Sequence, residues 1–257
     1  MSDGLSRDYG FIGSGDLMIK NLNDSSDQWR PIGNATVFSL QPLYDKYERT
    51  SRKRDTAGQT LETVIRAKGV DVKITVDTFG RQNLALALAG SDAALTQTAQ
   101  TDATATLALP HDRWVFVGHY NISGVEVSDG VASSLVENTD FLVKAEAGLV
   151  MALSTGAIAD GASCTVTYDA AAITAADNAY SILGGASVDV LLGLKLDGKN
   201  ASTGETILVD VHRLRITPES AVGFITSEFN TLELVGRAET PEDQDSPFTV
   251  RTLPALA

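Results

Sequence analysis

The chain is short of the side chains on which most catalysis, metal binding and export depend. Its 257 residues hold one cysteine, Cys164, and three histidines, His111, His119 and His212. A single cysteine excludes an intrachain disulfide and fits assembly in a reducing compartment, with Cys164 expected as a small apolar packing residue. Apart from the dipeptide His111-Asp112, which reads as a surface turn, no histidine has a carboxylate or thiol at metal-ligand spacing. No metal and no cofactor is expected. The nucleophile elbow, the phosphate-binding Gly-Lys-Ser/Thr loop, the His-Glu-x-x-His helix and the calcium loop are all missing from the sequence. Gly13-Ser14-Gly15 has no Lys-Ser/Thr after it and reads as a tight turn. Asp71 and Asp77 have Lys73 between them, the pattern of a polar sheet face rather than of an acid–base dyad. No catalytic residue is expected, and the chain is read as a protein that is not an enzyme.

Bases are also scarce. Twenty Lys and Arg stand against 33 Asp and Glu, a formal net charge of −13. That balance excludes a module that holds nucleic acid by neutralising its phosphates. No apolar run approaches the roughly 18 residues that a membrane-spanning helix needs, and the polar start Met1-Ser-Asp-Gly-Leu lacks the apolar core of an export signal, so neither membrane nor export is expected. Without export, Asn34, Asn121 and Asn200 are chance matches to the glycosylation sequon.

What the chain does have is organised around Thr36–Gly90. Thr36-Val-Phe-Ser-Leu40 reads as a strand. The run Pro42–Arg54 that follows has five bases against Asp45 and Glu48 and too little apolar content to anchor itself, so it reads as a long mobile basic loop. Thr60–Arg66 and Val70–Phe79 read as two strands, the second with Val70, Val72, Ile74 and Val76 on one face and Asp71, Lys73, Thr75 and Asp77 on the other. Asn83–Ala89 is a run of strong helix formers closed by Gly90.

Composition changes near Thr96. Residues 101–180 hold only Arg113 and Lys144 against ten acids, a net of −8. Short β-like runs recur there between turn signals: Trp114–Tyr120, Gly124–Val127, Asp140–Val143, Gly148–Leu153 and Cys164–Tyr168. This spacing fits a small β-sandwich, and 101–180 is read as an inserted domain between 1–100 and 181–257. After Gly184-Gly185, Val188, Val190, Leu192, Leu194 and Leu196 alternate inward, and Ile207–Ile216 pairs back across the turn Asp197–Gly204. The apolar phase of that second strand slips from Val211 to Leu214, which a bulge near His212 explains. Phe229–Ala238 is a last strand. From Glu239 the chain is acidic and without period, and reads as an arm rather than a folded element.

Several of these runs resemble the major tail tube proteins of tailed bacteriophages: Tyr47-Glu-Arg-Thr-Ser-Arg-Lys-Arg54, Gly58-Gln-Thr-Leu-Glu-Thr-Val64, Val72-Lys-Ile-Thr-Val-Asp-Thr-Phe79, Asn83-Leu-Ala-Leu-Ala-Leu-Ala-Gly90 and Gly223-Phe-Ile-Thr-Ser-Glu-Phe229. The resemblance covers about 36–90 and 186–238, and the acidic insertion departs from it. Asn138–Val143, Gly148-Leu-Val150, Ala159-Asp-Gly161 and Val166-Thr-Tyr168 are in turn similar to immunoglobulin-like repeats of phage tail proteins. Together these imply a mainly β chain: a β-sandwich or half-barrel with one short helix, carrying an inserted immunoglobulin-like domain. They imply a virion protein, assembled in the host cytoplasm into hexameric rings that stack as the tail tube. Its partners would be further copies of itself, the tape measure protein, and tail terminator or tip proteins, with double-stranded DNA passing through unbound. On this reading the loop residues Lys46, Arg49, Arg52, Lys53 and Arg54 make the ring-to-ring contact, with Glu242, Asp243 and Asp245 of the acidic arm opposite them. Asp71, Lys73, Thr75 and Asp77 are the expected lining of an acidic bore, although alternation alone does not decide which sheet face looks inward. A two-domain surface adhesin or binding module is the alternative; it would need an export signal and a binding patch.

Overall fold

The structure is a computed structural model that describes residues 10–131, 135–187, 189–217 and 221–254. Among these residues the chain is mainly β, with a single α-helix. The strands in chain order are β1 (Gly13–Asn21), β2 (Arg30–Pro31), β3 (Ala35–Thr50) and β4 (Thr60–Val76), then after α1 (Arg81–Ala87) come β5 (Ser91–Ala94), β6 (Gln100–Leu109), β7 (Val115–Phe116), β8 (Ile122–Ser128), β9 (Phe141–Lys144), β10 (Leu149–Ala152), β11 (Ala162–Ala170), β12 (Tyr180–Leu183), β13 (Leu191–Asn200), β14 (Thr206–Thr217), β15 (Leu232–Ala238) and β16 (Phe248–Leu253). They divide into two compact units, one of residues 1–92 with 182–257 and one of residues 93–181, so the second unit begins a few residues before Thr96. β5 and β12 pair as a two-stranded ribbon where the chain passes from one unit into the other.

The first unit is one antiparallel sheet in the order β2-β1-β13-β14-β15-β4-β3, with β16 also paired to β14. Alternation places Leu17 and Ile19 of β1, Val70, Val72, Ile74 and Val76 of β4, Leu192 and Leu194 of β13, Val209, Val211, Leu214 and Ile216 of β14 and Leu232 and Leu234 of β15 in one buried core. Phe38 and Leu40 of β3 and Leu84, Leu86 and Ala87 of α1 pack on it. The sheet is curled around this core as a half-barrel, since the inner side chains of β3 at one edge face those of β1, β13 and β14 across an open cleft. The slip in β14 is real: His212 and Arg213 together oppose Gly193, a bulge that returns Leu214 to the core side. Val188 lies outside the described residues.

Several sequence expectations are corrected here. The stretch before Pro31, in which the sequence marked only a turn, contains β1. Gly13-Ser14-Gly15 is strand rather than turn, paired with β13, and Gly15 is glycine because a Cβ there would lie 2.4 Å from the Asp197 carbonyl oxygen. The helix starts two residues early, at Arg81, and stops because Ala89 turns left-handed at φ 46°. Gly90 serves close approach instead, its Cβ position lying 2.7 Å from Ile182 Cγ2. The segment after Glu239 is no arm: β16 pairs Phe248 with Val211 through Leu253 with Thr206, continuing the edge of β14 that β15 occupies from Leu214 to Thr217. Alternating Phe248 and Val250 were masked in the sequence by their acidic and proline-containing neighbours.

The second unit is a β-sandwich of two three-stranded sheets, β7-β10-β9 and β6-β11-β8. Cys164, Val166 and Tyr168 of β11, Leu109, Val150, Ala152, Phe141 and Ile158 fill its interior, so Cys164 is the packing residue expected. Burial pushes its thiol up, away from reactivity. β6, with its Ala- and Thr-rich Gln-Thr-Asp-Ala-Thr-Ala-Thr sequence, carries no apolar alternation to betray it and pairs along β11 from Leu109 to Gln100. The Tyr168 hydroxyl donates to the Val117 carbonyl at 2.8 Å and meets His119 Nδ1 at 2.8 Å. His111 Nε2 lies 2.8 Å from the Ile158 carbonyl, which makes His111 a structural residue of this unit.

Asp140 ties three loop segments together. Its carboxylate accepts from the Val136 and Ala157 amides, both at 2.8 Å, and its carbonyl accepts from Leu153. The two amide donors hold its carboxyl below the usual carboxylate range. A lowered folded-state pKa contributes stability above the unfolded carboxyl value that is lost as pH falls through the folded one. Asp140→Asn should therefore lower the melting midpoint of this unit at neutral pH and remove part of its acid sensitivity below the ordinary carboxyl range. Calorimetry across pH checks this; parallel midpoint curves for the two proteins would refute it. Because β5 and β12 lie side by side, joining Ala94 to Tyr180 by a short Gly/Ser linker should leave a first unit that melts cooperatively.

Candidate functional site

The expected basic loop is a β-hairpin. β3 continues from Ala35 to Thr50 without a break and pairs with β4 over its whole length, so Thr60–Arg66 and the strand from Val70 are also one element, which ends at Val76. Composition misled because this ribbon mixes charged and apolar side chains on both faces, and such a mixture without a period resembles a mobile segment. Paired, the same residues are complementary. Asp45, Tyr47 and Arg49 stand opposite Arg66, Val64 and Glu62, and Tyr44, Lys46 and Glu48 stand opposite Ala67, Ile65 and Thr63. Arg49 reaches Glu62 at 3.7 Å, Lys68 reaches Asp45 at 3.3 Å, Lys46 pairs with Glu48, and the Arg66 guanidinium lies 5.8 Å above the Tyr47 ring. Each exposed pair contributes only about 0–1 kcal/mol, but together they fix the register.

The hairpin leaves the sheet at a bulge. Leu43 pairs with Gly69 and Tyr44 with Ala67, so Lys68 is the extra residue, and Gly69 takes φ 140°, which a side chain rarely adopts. On the sheet side, β4 buries every second residue; beyond the bulge all of Thr60–Lys68 is exposed. Tyr44, Tyr47, Leu61, Val64 and Ile65 are each 44–63% exposed. From Tyr44 to Thr50 the ribbon spans roughly 20 Å at the rise of an extended strand. Its tip is ordered: the Ser51 amide donates to the Gln59 carbonyl at 2.8 Å, the Gly58 amide to the Ser51 carbonyl at 2.9 Å, and the buried Ser51 hydroxyl lies 2.7 Å from that of Thr56. Arg52, Lys53 and Arg54 point outward from this turn, exposed, and among the described residues none forms an ion pair.

Glu242, Asp243 and Asp245 are exposed on the turn between β15 and β16, where the Gln244 amide donates to the Pro241 carbonyl at 3.1 Å. That excursion starts and ends at the foot of the hairpin, because Glu239, Thr240, Pro247 and Phe248 line one cavity of about 530 Å³ with Pro42, Tyr44 and Lys68. The expected contact residues are therefore not gathered within one chain. Lys46 and Arg49 are engaged along the ribbon, Arg52, Lys53 and Arg54 sit at its far end, and Asp243 lines a separate cavity with Lys195, Arg213 and Arg251.

Asp71, Lys73 and Thr75 share the outer face of β4, as alternation requires, whereas Asp77 lies just past its last residue, Val76. The face is not acidic, however. Arg237 Nη2 lies 3.0 Å from Asp71, Lys73 lies 2.7 Å from Glu233, and Asn34 Nδ2 donates to Asp77 at 2.6 Å. The pairing continues across the sheet, Arg215 Nε donating to Glu239 at 2.8 Å and Lys195 lying 3.7 Å from Asp210, which also pairs with Arg251. Cross-strand pairs of opposite sign neutralise the face locally. No group of metal-ligating side chains occurs among the described residues, and no helix there is long and apolar enough to cross a membrane.

The model of the family described as Protein of unknown function UCP028589 matches residues 10–246, a span that takes in both units. The chain belongs to that family. No curated protein matches it.

A hairpin without a core beneath it is held by ladder bonds and weak exposed side-chain pairs, and opens easily. In the dilute chain, amides of Tyr44–Thr50 should exchange with solvent at least about a hundredfold faster than those of Val72–Val76 in the same sheet. Hydrogen–deuterium exchange measures this. Equal protection in the two halves of β4 would mean that the ribbon is stabilised within the chain and needs no partner.

Proposed function

We propose that this protein is a structural subunit of a bacteriophage tail tube, forming hexameric rings that stack into the conduit through which DNA leaves the virion. The observation that carries this reading is the hairpin. A ribbon of roughly 20 Å with five large apolar side chains exposed on two faces is poorly suited to life in water, and a repeating assembly covers it. The charges support stacking: three cations at the ribbon's tip and three acids on the turn between β15 and β16 form no ion pair among the described residues. They stand on separate turns of one chain, whereas a second copy stacked on the first can bring tip to turn. Repeated around a ring, contacts of less than about 1 kcal/mol each add to a decisive total.

The remaining features follow from this reading. The β-sandwich unit is the immunoglobulin-like domain of the resemblance and carries most of the negative charge. The charge-balanced face of β4 and β15 lines the bore and presents DNA with no row of unpaired cations. The tape measure protein and the tail terminator or tip proteins would be further partners, and assembly would take place in the host cytoplasm.

Reversing Arg52, Lys53 and Arg54 to Glu should abolish tube growth, seen by negative-stain microscopy, while circular dichroism stays that of the folded chain. Making Glu242, Asp243 and Asp245 basic in the same chain should restore it. Normal-length tubes from the triple Glu variant would sink the tip's role, and a wild-type chain that forms neither rings nor tubes would sink the reading.

A further inference from the structure

The hairpin accounts for contacts along one axis and leaves two apolar features of the first unit unexplained. One is the cleft where the half-barrel stays open, a space of about 540 Å³ between β1 and β3 lined by Phe11, Leu17, Val37, Phe38, Leu196 and Ile207. Phe11 and Val37 at its mouth are 66% and 42% exposed. The other is the loop between β14 and β15. Phe224, Ile225 and Phe229 are 72%, 99% and 102% exposed, which makes this the most exposed group of large apolar side chains in the unit. A soluble chain does not hold three such side chains in water without a use for them.

Residues 223–230 of this loop are shaped in advance. Asn230 Nδ2 donates to the Gly223 carbonyl, the Thr226 hydroxyl donates to the Glu228 carbonyl at 2.8 Å, and Val222 packs against the core. A projection held by its own hydrogen bonds loses little freedom on docking. It does not occupy its own chain's cleft, since its apolar side chains are exposed there. The charges match as well. Glu228 stands between Ile225 and Phe229, Lys199 stands in the wall of the cleft, and neither forms an ion pair among the described residues.

We propose that Phe224, Ile225 and Phe229 of one copy seat in the β1–β3 cleft of a second copy, with Glu228 against Lys199. This deepens the tube reading and rests on it. Projection and cleft are different surfaces, so the contact is heterologous: each copy gives its loop to one neighbour and receives another's, the arrangement that closes into rings. It supplies the lateral contact, as the hairpin supplies the axial one.

The test uses the full chain, with the buried Cys164 left in place. Phe229→Cys and Val37→Cys chains are mixed and oxidised. The expected product is a disulfide-linked pair containing one of each, while either variant alone gives none. Cross-links between two Phe229→Cys chains, or no mixed product at high concentration, overturn the proposal. Independently, Phe224→Ser, Ile225→Ser and Phe229→Ser together should weaken self-association about a hundredfold or more in sedimentation. Glu228→Lys should weaken it less, and Lys199→Glu should restore that loss. Unchanged association of the Ser variant overturns the contact. The two readings fail separately: normal tubes from the Ser variant remove this contact and keep the tube, whereas cross-linked rings that never stack keep the contact and count against the tube.

Discussion

The strand β4 carries one ladder through two environments, and the rest of the first unit depends on that division. From Val70 to Val76 its alternate side chains are buried and its neighbours β15 and β3 are both paired, so pairing and burial reinforce each other. From Thr60 to Lys68 the ladder with β3 continues with no burial at all. The change happens at one residue, Lys68, where the bulge shifts the pleat and lets the ribbon leave the curve of the sheet. Without that bulge β4 would continue alongside β16, whose outer edge is also unpaired, and the ribbon would become part of the wall. One inserted residue thus marks where the ladder passes from buried side chains to the exposed Tyr44, Tyr47 and Ile65.

Charge is distributed on the same plan. The whole chain is acidic, yet the outer sheet face is neutral by pairing, and the excess of acids sits largely in the β-sandwich unit and in the Glu239–Asp245 turn; for the proposed bore this replaces a repulsive lining by a paired one. The two readings differ in mechanism. In the proposed tube, a strongly negative lining would repel phosphate at a distance that salt screens, whereas a paired lining would give DNA nothing to bind at contact, whatever the salt. Cross-strand pairs also serve the sheet, because each acid is offset by a base on the adjoining strand and the face costs the fold little repulsion.

How much of this was legible follows from which signals survive in sequence. The alternation in β4, the bulge at His212 and the packing of Cys164 were readable because burial writes a period of two and a bulge breaks it visibly. The hairpin was not. Its two faces are chemically alike, so no period marks it, and its stabilising pairs, such as Arg49 with Glu62, lie far apart in the chain. β6 and β16 were missed for related reasons, the first because Ala and Thr give no contrast between faces, the second because acids and prolines surround it. Of the proposed contact residues, the cations at Arg52–Arg54 stood out by charge alone. The loop around Phe224 and Phe229 did not, since its meaning lies in exposure, which sequence does not report.

The free edges finally suggest why assembly would be specific. β3 is an edge strand of 16 residues, long enough to template indiscriminate pairing. Its distal half is guarded: Pro42 lacks a donor, and Lys46, Glu48 and Arg49 place charges of both signs along the ribbon. Its proximal half, Ala35–Gln41, has no such guard, and Ala35–Leu40 forms one wall of the open cleft. An incoming copy that offered only a bare strand could pair there in many registers, because backbone bonds do not distinguish them. One that must also seat two phenylalanines and set Glu228 beside Lys199 has a single register. Specificity would then come from the side chains at the mouth of the cleft, and the backbone edge would add affinity only after they have fitted.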